Sequence, residues 1–175
     1  MTPERNDPTR SGFTPPAAGA VVLSGNEVET LCLKAARGAG LSWGPAEEAG
    51  FAARWLHARG FDGPGTLLAH LDRLDDARSQ IALTEAGFLA VDGRPICPIA
   101  AGAAVSDFAS LGRVRDHARR VRYPLLLLPF LHQAAAVSAG SLALSWEGGR
   151  VTVSATGETG GALAALAALD EAGIS

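Results

Sequence analysis

The sequence predicts an α+β domain in which an N-terminal helical layer packs on a mainly antiparallel sheet and a C-terminal helix closes the fold. Three observations lead to this class. Apolar residues recur at helical spacing from about position 24 to 74, alternate with polar residues from 142 to 155, and return to helical spacing from 163. With 175 residues, of which 47% are hydrophobic, the chain has the length and composition of one globular domain.

Capping signals and periodicity predict three helices in the N-terminal layer. Ser24 and Glu27 have the spacing of a capping box, and two glycines near position 40 end the helix that they begin. The proline of Gly44-Pro45 is typical of the first turn of a second helix, and a third helix follows residues 62–64. We expect the core-facing residues of this layer to be Val28, Leu31, Cys32, Ala35, Ala49, Ala52, Ala53, Leu56, Leu67, Leu68, Leu71 and Leu74.

The middle of the chain has weaker signals. Residues 88–91 are typical of a strand, residues 92–93 of a hairpin turn, and residues 94–99 of an edge segment interrupted by prolines. Residues 113–123 have helical spacing, and the short apolar run 125–128 is predicted to be a buried strand.

A hairpin near the C-terminus gives the strongest strand signal. Leu144 and Trp146 alternate with small polar residues, and the alternation resumes at Val151 and Val153. A two-residue turn at 148–149 predicts that Trp146 pairs with Val151 and that Leu144 pairs with Val153. These apolar side chains then share one face of the hairpin.

Composition and charge exclude several classes of function. Residues 1–19 hold four prolines and charges of both signs, so we expect a disordered tail without a signal peptide, followed by one domain at 20–175. No apolar run approaches the roughly 20 residues of a membrane-spanning helix, so no membrane partner is expected. Two cysteines cannot build a disulfide framework, which favours a cytoplasmic protein. A net charge of −3 argues against a general attraction to nucleic acid.

The usual sequence patterns of cofactor sites are missing. Lys34 is the one lysine and lies inside a predicted helix, which argues against a Schiff-base enzyme. The glycine-rich loop 157–161 joins a strand to a helix, but it lacks the lysine of a P-loop and the spacing of a dinucleotide fingerprint. The four histidines do not have metal-ligand spacing. We therefore predict no cofactor and no metal.

Four residues of a helix–turn–helix corner are candidates for chemistry. A carboxylate beside a tryptophan has a raised pKa and can act as a general base, so Glu47 and Glu48 are candidate catalytic residues. Arg37 and Trp43 are candidate substrate-binding residues, as an anion clamp and a pocket wall. The structural alternative is that the two glutamates favour a helix N-terminus, Arg37 favours a helix C-terminus, and Trp43 fills the core.

An arginine-rich run is the second candidate for binding an anion. Residues 113–122 hold five of the fourteen arginines. Because a guanidinium matches the oxygens of a carboxylate or phosphate, Arg119 and Arg120 are candidate substrate-binding residues. A solvated helix face and a set of salt bridges between subunits remain alternatives. Nucleic-acid binding is a weaker one, because aromatic stacking partners are missing nearby.

Cys97 is a further candidate. It could act as a nucleophile if a histidine comes close in space, although a cysteine is more often buried and inert. The sequence does not indicate which of the four histidines would be its partner.

The segment NEVETLCLKAARGAGLSWGPAEEAG at 26–50, with its continuation to Leu56, resembles the opening of a bacterial protein family known only as a domain of unknown function. The resemblance is most specific over residues 24–60. It implies a bacterial cytosolic origin and a context of small-molecule metabolism, and it transfers no catalytic residue to this chain.

These observations support three functional hypotheses. The first is a cofactor-independent enzyme acting on a small anionic metabolite, with a carboxylate as the anion. The second is a non-catalytic subunit or small-molecule-binding module, in which the arginine run and the helical corner form the interface of a homo-oligomer. The third is a nucleic-acid-associated regulator.

Overall fold

The computed structural model describes residues 21–74, 81–84, 87–90, 95–110, 121–146, 149–156 and 158–168. Within these residues, a layer of helices precedes a three-stranded antiparallel sheet and a last helix follows it, which confirms the predicted α+β class. None of the helices in these ranges is long and apolar enough to cross a membrane. The predicted tail at 1–19 lies outside the described residues.

Six α-helices, five strands and one 3₁₀ helix make up the described part of the chain. They are α1 (Gly25–Gly38), α2 (Trp43–His57), α3 (Gly63–Leu71), β1 (Ile81–Thr84), β2 (Gly87–Ala90), α4 (Pro98–Ser110), the 3₁₀ helix (Pro124–Leu127), α5 (Leu128–Ser138), β3 (Ser141–Trp146), β4 (Gly149–Ser154), β5 (Thr159–Gly161) and α6 (Leu163–Ala168).

The capping box that was expected at the start of α1 is present. The N–H of Glu27 donates to Ser24 Oγ at 3.3 Å, and the N–H of Ser24 donates to Glu27 Oε2 at 2.7 Å. The expected apolar face is wrong in part, because Leu31 is 57% exposed and Ala35 is exposed. The buried face instead follows a row of residues four apart, which is how one helix packs against another. This row is Val28, Cys32 and Ala36.

Small residues on α2 allow α1 to approach closely. A Cβ at Gly50 would meet the backbone carbonyl oxygen of Glu29 at 2.7 Å, so any larger residue would push the two helices apart. The expected stripe of α2 is buried, whereas Leu68 of α3 is 56% exposed and not part of the core. The buried residues of α2 are Ala46, Ala49, Gly50, Ala52, Ala53, Trp55 and Leu56.

The middle of the chain differs most from expectation. β2 pairs with the preceding strand β1, and the expected turn at 92–93 and most of the helix expected at 113–123 lie outside the described residues. The segment expected at an edge over 94–99 instead enters α4 at Pro98. The run expected to be a strand at 125–128 is helical. Pro124 and Pro129 explain this, because each lies in a first helical turn, where the missing N–H is not needed.

The late hairpin is present with a different register. Leu144 pairs with Val151 and Trp146 with Gly149, so the predicted register is wrong by two residues. Because side chains alternate with a period of two, this shift keeps the same apolar side chains on one face. The apolar pattern therefore fits both registers equally well.

The glycine-rich loop expected at 157–161 contributes a third strand. β5 pairs antiparallel with β4, with Val151 opposite Gly161 and Val153 opposite Thr159. Gly161 has a φ of 100°, and a Cβ there would overlap the carbonyl oxygen of Arg150. Glycine is thus required for the backbone approach that adds this strand to the sheet. Leu166 of α6 is fully buried.

Candidate active site

A cysteine lies at the beginning of α4. The carbonyl of Cys97 accepts the N–H of Ala101 at 3.0 Å, and Pro98 is the first helical residue, so Cys97 is the N-cap of this helix. An N-cap side chain lies close to backbone N–H groups that have no partner inside the helix. The Cys97 thiol is therefore placed at the positive end of α4.

The histidine that approaches this cysteine is His70, in the last turn of α3. The Nε2 atom of His70 lies 3.3 Å from the Sγ atom of Cys97, across 27 residues of sequence. His70 is 3% exposed, whereas Cys97 keeps part of its surface accessible. A nucleophilic cysteine requires a histidine close in space, and His70 meets this condition for Cys97.

The imidazole of His70 is uncharged at neutral pH. Burial, reinforced by the positive charge of Arg122, lowers the pKa of His70 to about 4. The tautomer that carries its proton on Nδ1 leaves the Nε2 lone pair directed at the thiol. Nδ1 is buried and has no hydrogen-bond partner among the described residues.

The thiol of Cys97 is subject to two opposing effects. Burial raises the pKa of Cys97, and hydrogen bonds from the N–H groups of Ala100 and Ile99 partly offset this rise. The resting cysteine is therefore a protonated thiol. The same two N–H groups would stabilise negative charge on sulfur once the proton is removed.

A second chain segment lies along Cys97. Ile96 and Val121 form a parallel β-bridge, and the N–H of Arg122 donates to the carbonyl of Ile96 at 3.3 Å. The ring of Tyr123 then packs edge-on against His70, with the ring centroids 5.8 Å apart. Tyr123 has a φ of 44°, in the left-handed region, where a non-glycine residue is strained. Strained residues are concentrated at functional sites.

The predicted corner brings together two of its four residues. The guanidinium carbon of Arg37 lies 5.6 Å from the ring centroid of Trp43, and Arg37 Nη1 donates to the carbonyl of Leu41 at 2.6 Å. Trp43 is 62% exposed, so it does not fill the core as the structural alternative assumed. Arg37 already has contacts within the corner itself.

The two glutamates of α2 lie in different environments. Glu47 is exposed, whereas Glu48 is partly buried and faces α4. Burial raises the pKa of Glu48, and the negative charges of Asp107 and Glu47 raise it further. Neither glutamate belongs to the first turn of α2, because that helix begins at Trp43. Arg119 and Arg120 lie outside the described residues.

Two candidate regions therefore lie along α4. Cys97 lies at its beginning and Asp107 near its end, and ten residues of α-helix span about 15 Å. This distance is too large for Glu48, beside Asp107, to act on a group bound at Cys97. No group of three or more potential metal ligands occurs within the described ranges.

The fold and this geometry define a class: an α+β protein with a cysteine–histidine pair at a helix N-terminus, in which the histidine is buried. The chain belongs to the family described as "Protein of unknown function (DUF3726)", whose model matches residues 23–123. This finding confirms the resemblance seen over residues 24–60. The match includes α1 to α4 and both candidate regions, and it ends before β3. No curated protein and no solved structure matches the chain.

Proposed function

We propose that this protein is a cofactor-independent enzyme acting on a small anionic metabolite, with Cys97 as the nucleophile and His70 as its general base. The observation that carries the proposal is the 3.3 Å separation between His70 Nε2 and Cys97 Sγ. This separation permits direct proton transfer from a thiol to an imidazole. A nucleophile and a base in mutual contact are the two essential parts of covalent catalysis by cysteine.

The reaction class that suits this pair is acyl transfer. His70 Nε2 takes the thiol proton while Cys97 Sγ forms a bond to the carbonyl carbon of the substrate, whose oxygen becomes negatively charged. Collapse of this adduct breaks the bond to the leaving group, which receives the proton from the imidazolium. Water, deprotonated by the same imidazole, then attacks the thioester, and the thiol is regenerated.

Because the pKa of His70 is lowered and that of Cys97 is raised, the proton is transferred only as the S–C bond forms, and three features of the surroundings assist this step. The imidazole is neutral before the reaction, so its lone pair is available as a base at physiological pH. The N–H groups of Ile99 and Ala100 offer hydrogen bonds to the charge that develops beside them. The ring of Tyr123 restricts rotation of the imidazole, which keeps Nε2 directed at the sulfur.

Alkylation kinetics with iodoacetamide test the proposal, because the chain contains an internal reference. Cys32 is buried, and burial with the negative charge of Asp62 raises its pKa. We expect iodoacetamide to modify Cys97 faster than Cys32 at pH 7, as followed by peptide mass spectrometry. His70→Gln keeps a polar side chain but removes the base, so it is expected to slow modification of Cys97 by about tenfold or more.

The comparison requires that the His70→Gln protein keeps the native fold. Circular dichroism and thermal unfolding of His70→Gln check it, and Cys97→Ser identifies the modified site by loss of the mass increment. Equal rates at the two cysteines of the native protein would contradict the proposal. So would a His70→Gln protein that is folded and reacts at the native rate.

The second candidate site is the carboxylate pair formed by Glu48 and Asp107. The raised pKa of Glu48 supports an acid–base role there, and under this assignment Glu47 would assist it while Arg37 and Trp43 would bind the substrate. Under this assignment Glu48→Gln abolishes turnover and leaves the fold intact. Full turnover in that variant would exclude Glu48 as the acid–base residue.

A non-catalytic subunit in a homo-oligomer is the alternative function. Exposed apolar side chains on four helices support it, since such side chains occur at interfaces between subunits. They are Leu31, Trp43, Leu68 and Val137. Light scattering after size exclusion would measure the mass of the particle. The regulator hypothesis rests on the run at 113–122, of which only Arg122 and Val121 are described, and it stays third.

A further inference from the structure

We infer that Arg122 is the residue that binds the carboxylate of the substrate at the Cys97–His70 pair, an inference that rests on the proposed function. The bridge between Ile96 and Val121 aligns the two segments in parallel. Residues that follow paired residues in parallel segments lie next to each other. Cys97 and Arg122 are therefore neighbours across this contact.

The guanidinium of Arg122 is held in place from one side. Its Nη1 atom donates at 3.0 Å to the carbonyl of Arg73, two residues beyond the end of α3 and three residues after His70. Arg122 is thus held near the pair by two hydrogen bonds. Its backbone N–H binds Ile96 in the segment before α4, and its side chain binds the carbonyl of Arg73 just after α3. The arginine is thus positioned before any ligand arrives, which lowers the entropy lost on binding.

A second nitrogen of the same guanidinium has no partner. The Nε atom of Arg122 is buried and makes no hydrogen bond within the described part of the chain. A buried donor without a partner is costly, and most buried donors in proteins are satisfied. A carboxylate oxygen of a bound substrate would satisfy this donor with a charge-assisted hydrogen bond.

His70 also has a buried nitrogen without a hydrogen-bond partner in the ranges that the structure describes. Its side chain is 3% exposed, and its Nδ1 atom is also without a partner among the described residues. Two unsatisfied buried nitrogens therefore lie around one reactive thiol, on His70 and on Arg122. Polar groups of a small molecule bound beside Cys97 would supply partners for these nitrogens.

The charge of the site defines the ligand class. A single guanidinium balances one negative charge, which matches a monocarboxylate, and its planar edge can donate two parallel N–H groups to the two carboxylate oxygens. The carbonyl that reacts must then lie close to the carboxylate in the same molecule, because Arg122 and Cys97 are neighbours. The substrate class is a short carboxylic acid that carries a second, activated acyl group.

Two alkylating reagents that differ in one group test this inference. Iodoacetate and iodoacetamide both form an S–C bond with release of iodide, and the thiol proton passes through His70 to solvent. Only iodoacetate carries a carboxylate. We expect the iodoacetate-to-iodoacetamide rate ratio at Cys97 to exceed the ratio measured for N-acetylcysteine by about tenfold or more, as for other charge-assisted hydrogen bonds.

Two variants at Arg122 assign the effect to its guanidinium. Arg122→Gln is expected to reduce the ratio to that of N-acetylcysteine. Arg122→Lys keeps the charge but loses the planar fork, so an intermediate ratio is expected. A change in the basicity of His70 or in the fold would alter the rates of both reagents alike. The iodoacetate-to-iodoacetamide rate ratio is therefore not affected by it. If Arg122→Gln does not fold, the native protein and Arg122→Lys decide the question.

The outcomes separate this inference from the proposal on which it rests. Rapid reaction of Cys97 with iodoacetamide, together with a ratio equal to that of N-acetylcysteine, would overturn the role of Arg122 and leave the pair intact. Slow reaction of Cys97 with both reagents would overturn the pair, and the inference with it. A raised ratio that survives in Arg122→Gln would assign the carboxylate to another residue.

Discussion

The Nε2 atom of His70 lies 3.3 Å from the Sγ atom of Cys97, and neither residue carries a charge in the resting protein. A neutral pair differs from a thiolate–imidazolium pair because its nucleophile forms only when the proton is transferred. Burial is the first cause of the shift in pKa at both residues, so the pair depends on the packing of α3 against the segment before α4.

Folding stability is expected to fall when the pH is lowered from about 6.5 to 4. The pKa of His70 is about 4 in the folded protein, against 6.5 in the unfolded chain, so the unfolded chain binds the proton first. The contribution of His70 is fully present above pH 6.5, and about 3 kcal/mol is lost as the pH falls to 4. Urea unfolding at pH 4.5 and 7 measures this change.

His70→Gln and His57→Gln provide the comparison for this prediction. The change in unfolding free energy between the two pH values is expected to be smaller in His70→Gln than in the native protein. His57 is exposed, so His57→Gln serves as the control and retains the native pH dependence. The same pH dependence in all three proteins would contradict the low pKa of His70.

Gly102 is required for the contact between α4 and α5. A Cβ at this position would overlap the ring of Phe130, which is fully buried and also packs edge-on against Phe51. Because the ring has no space to move into, Gly102→Ala is expected to lower the free energy of unfolding by about 1–3 kcal/mol. Chemical denaturation of the two proteins measures the difference.

Gly38→Ala is the matched control for this substitution. Gly38 is the last residue of α1, and a Cβ there meets no atom within 4 Å. The higher helix propensity of alanine should leave stability unchanged or raise it by up to about 1 kcal/mol. Equal effects of the two substitutions would show that crowding at Phe130 does not matter.

The capping box of α1 supplies a third prediction. Ser24→Ala removes the hydroxyl that accepts the N–H of Glu27, and should lower the free energy of unfolding by about 1 kcal/mol. Ser42 occupies the N-cap of α2 but makes no side-chain capping bond there. Ser42→Ala is thus the control and should have little effect. A Ser24→Ala protein as stable as the native one would contradict this assignment.

The helical layer could be predicted from the sequence because its signals are local. The capping box places Ser24 and Glu27 within one turn, and no distant residue is needed to form it. The run at 125–128 could not be assigned in the same way, since a short buried apolar run has no periodicity that separates a strand from a helix. The prolines at 124 and 129 decided the outcome, and both are typical of a first helical turn.

The candidate site depends on tertiary contacts that the sequence does not encode locally. Cys97 followed by Pro98 was a usable signal of a helix start, with the thiol at its N-terminus. His70, however, approaches from a helix 27 residues earlier, and only the packing of α3 selects it among the four histidines. The arginine run pointed to Arg119 and Arg120, whereas the parallel contact with Ile96 places Arg122 beside Cys97.

Glu48 gives the last prediction, which concerns the cost in stability of burying its carboxylate. The pKa of Glu48 is raised in the folded protein, so the folded state binds its proton more tightly than the unfolded chain does. Ionisation of Glu48 therefore costs stability as the pH rises above about 4.5, and that cost persists at neutral pH. Glu48→Gln removes it, so this variant should be more stable than the native protein at pH 7. The gain should vanish below pH 4, where the native carboxyl is protonated too. Glu47→Gln, at an exposed position, is the control and should change little. A Glu48→Gln protein that is less stable at pH 7 would contradict the raised pKa that burial, with the charges of Asp107 and Glu47, gives Glu48.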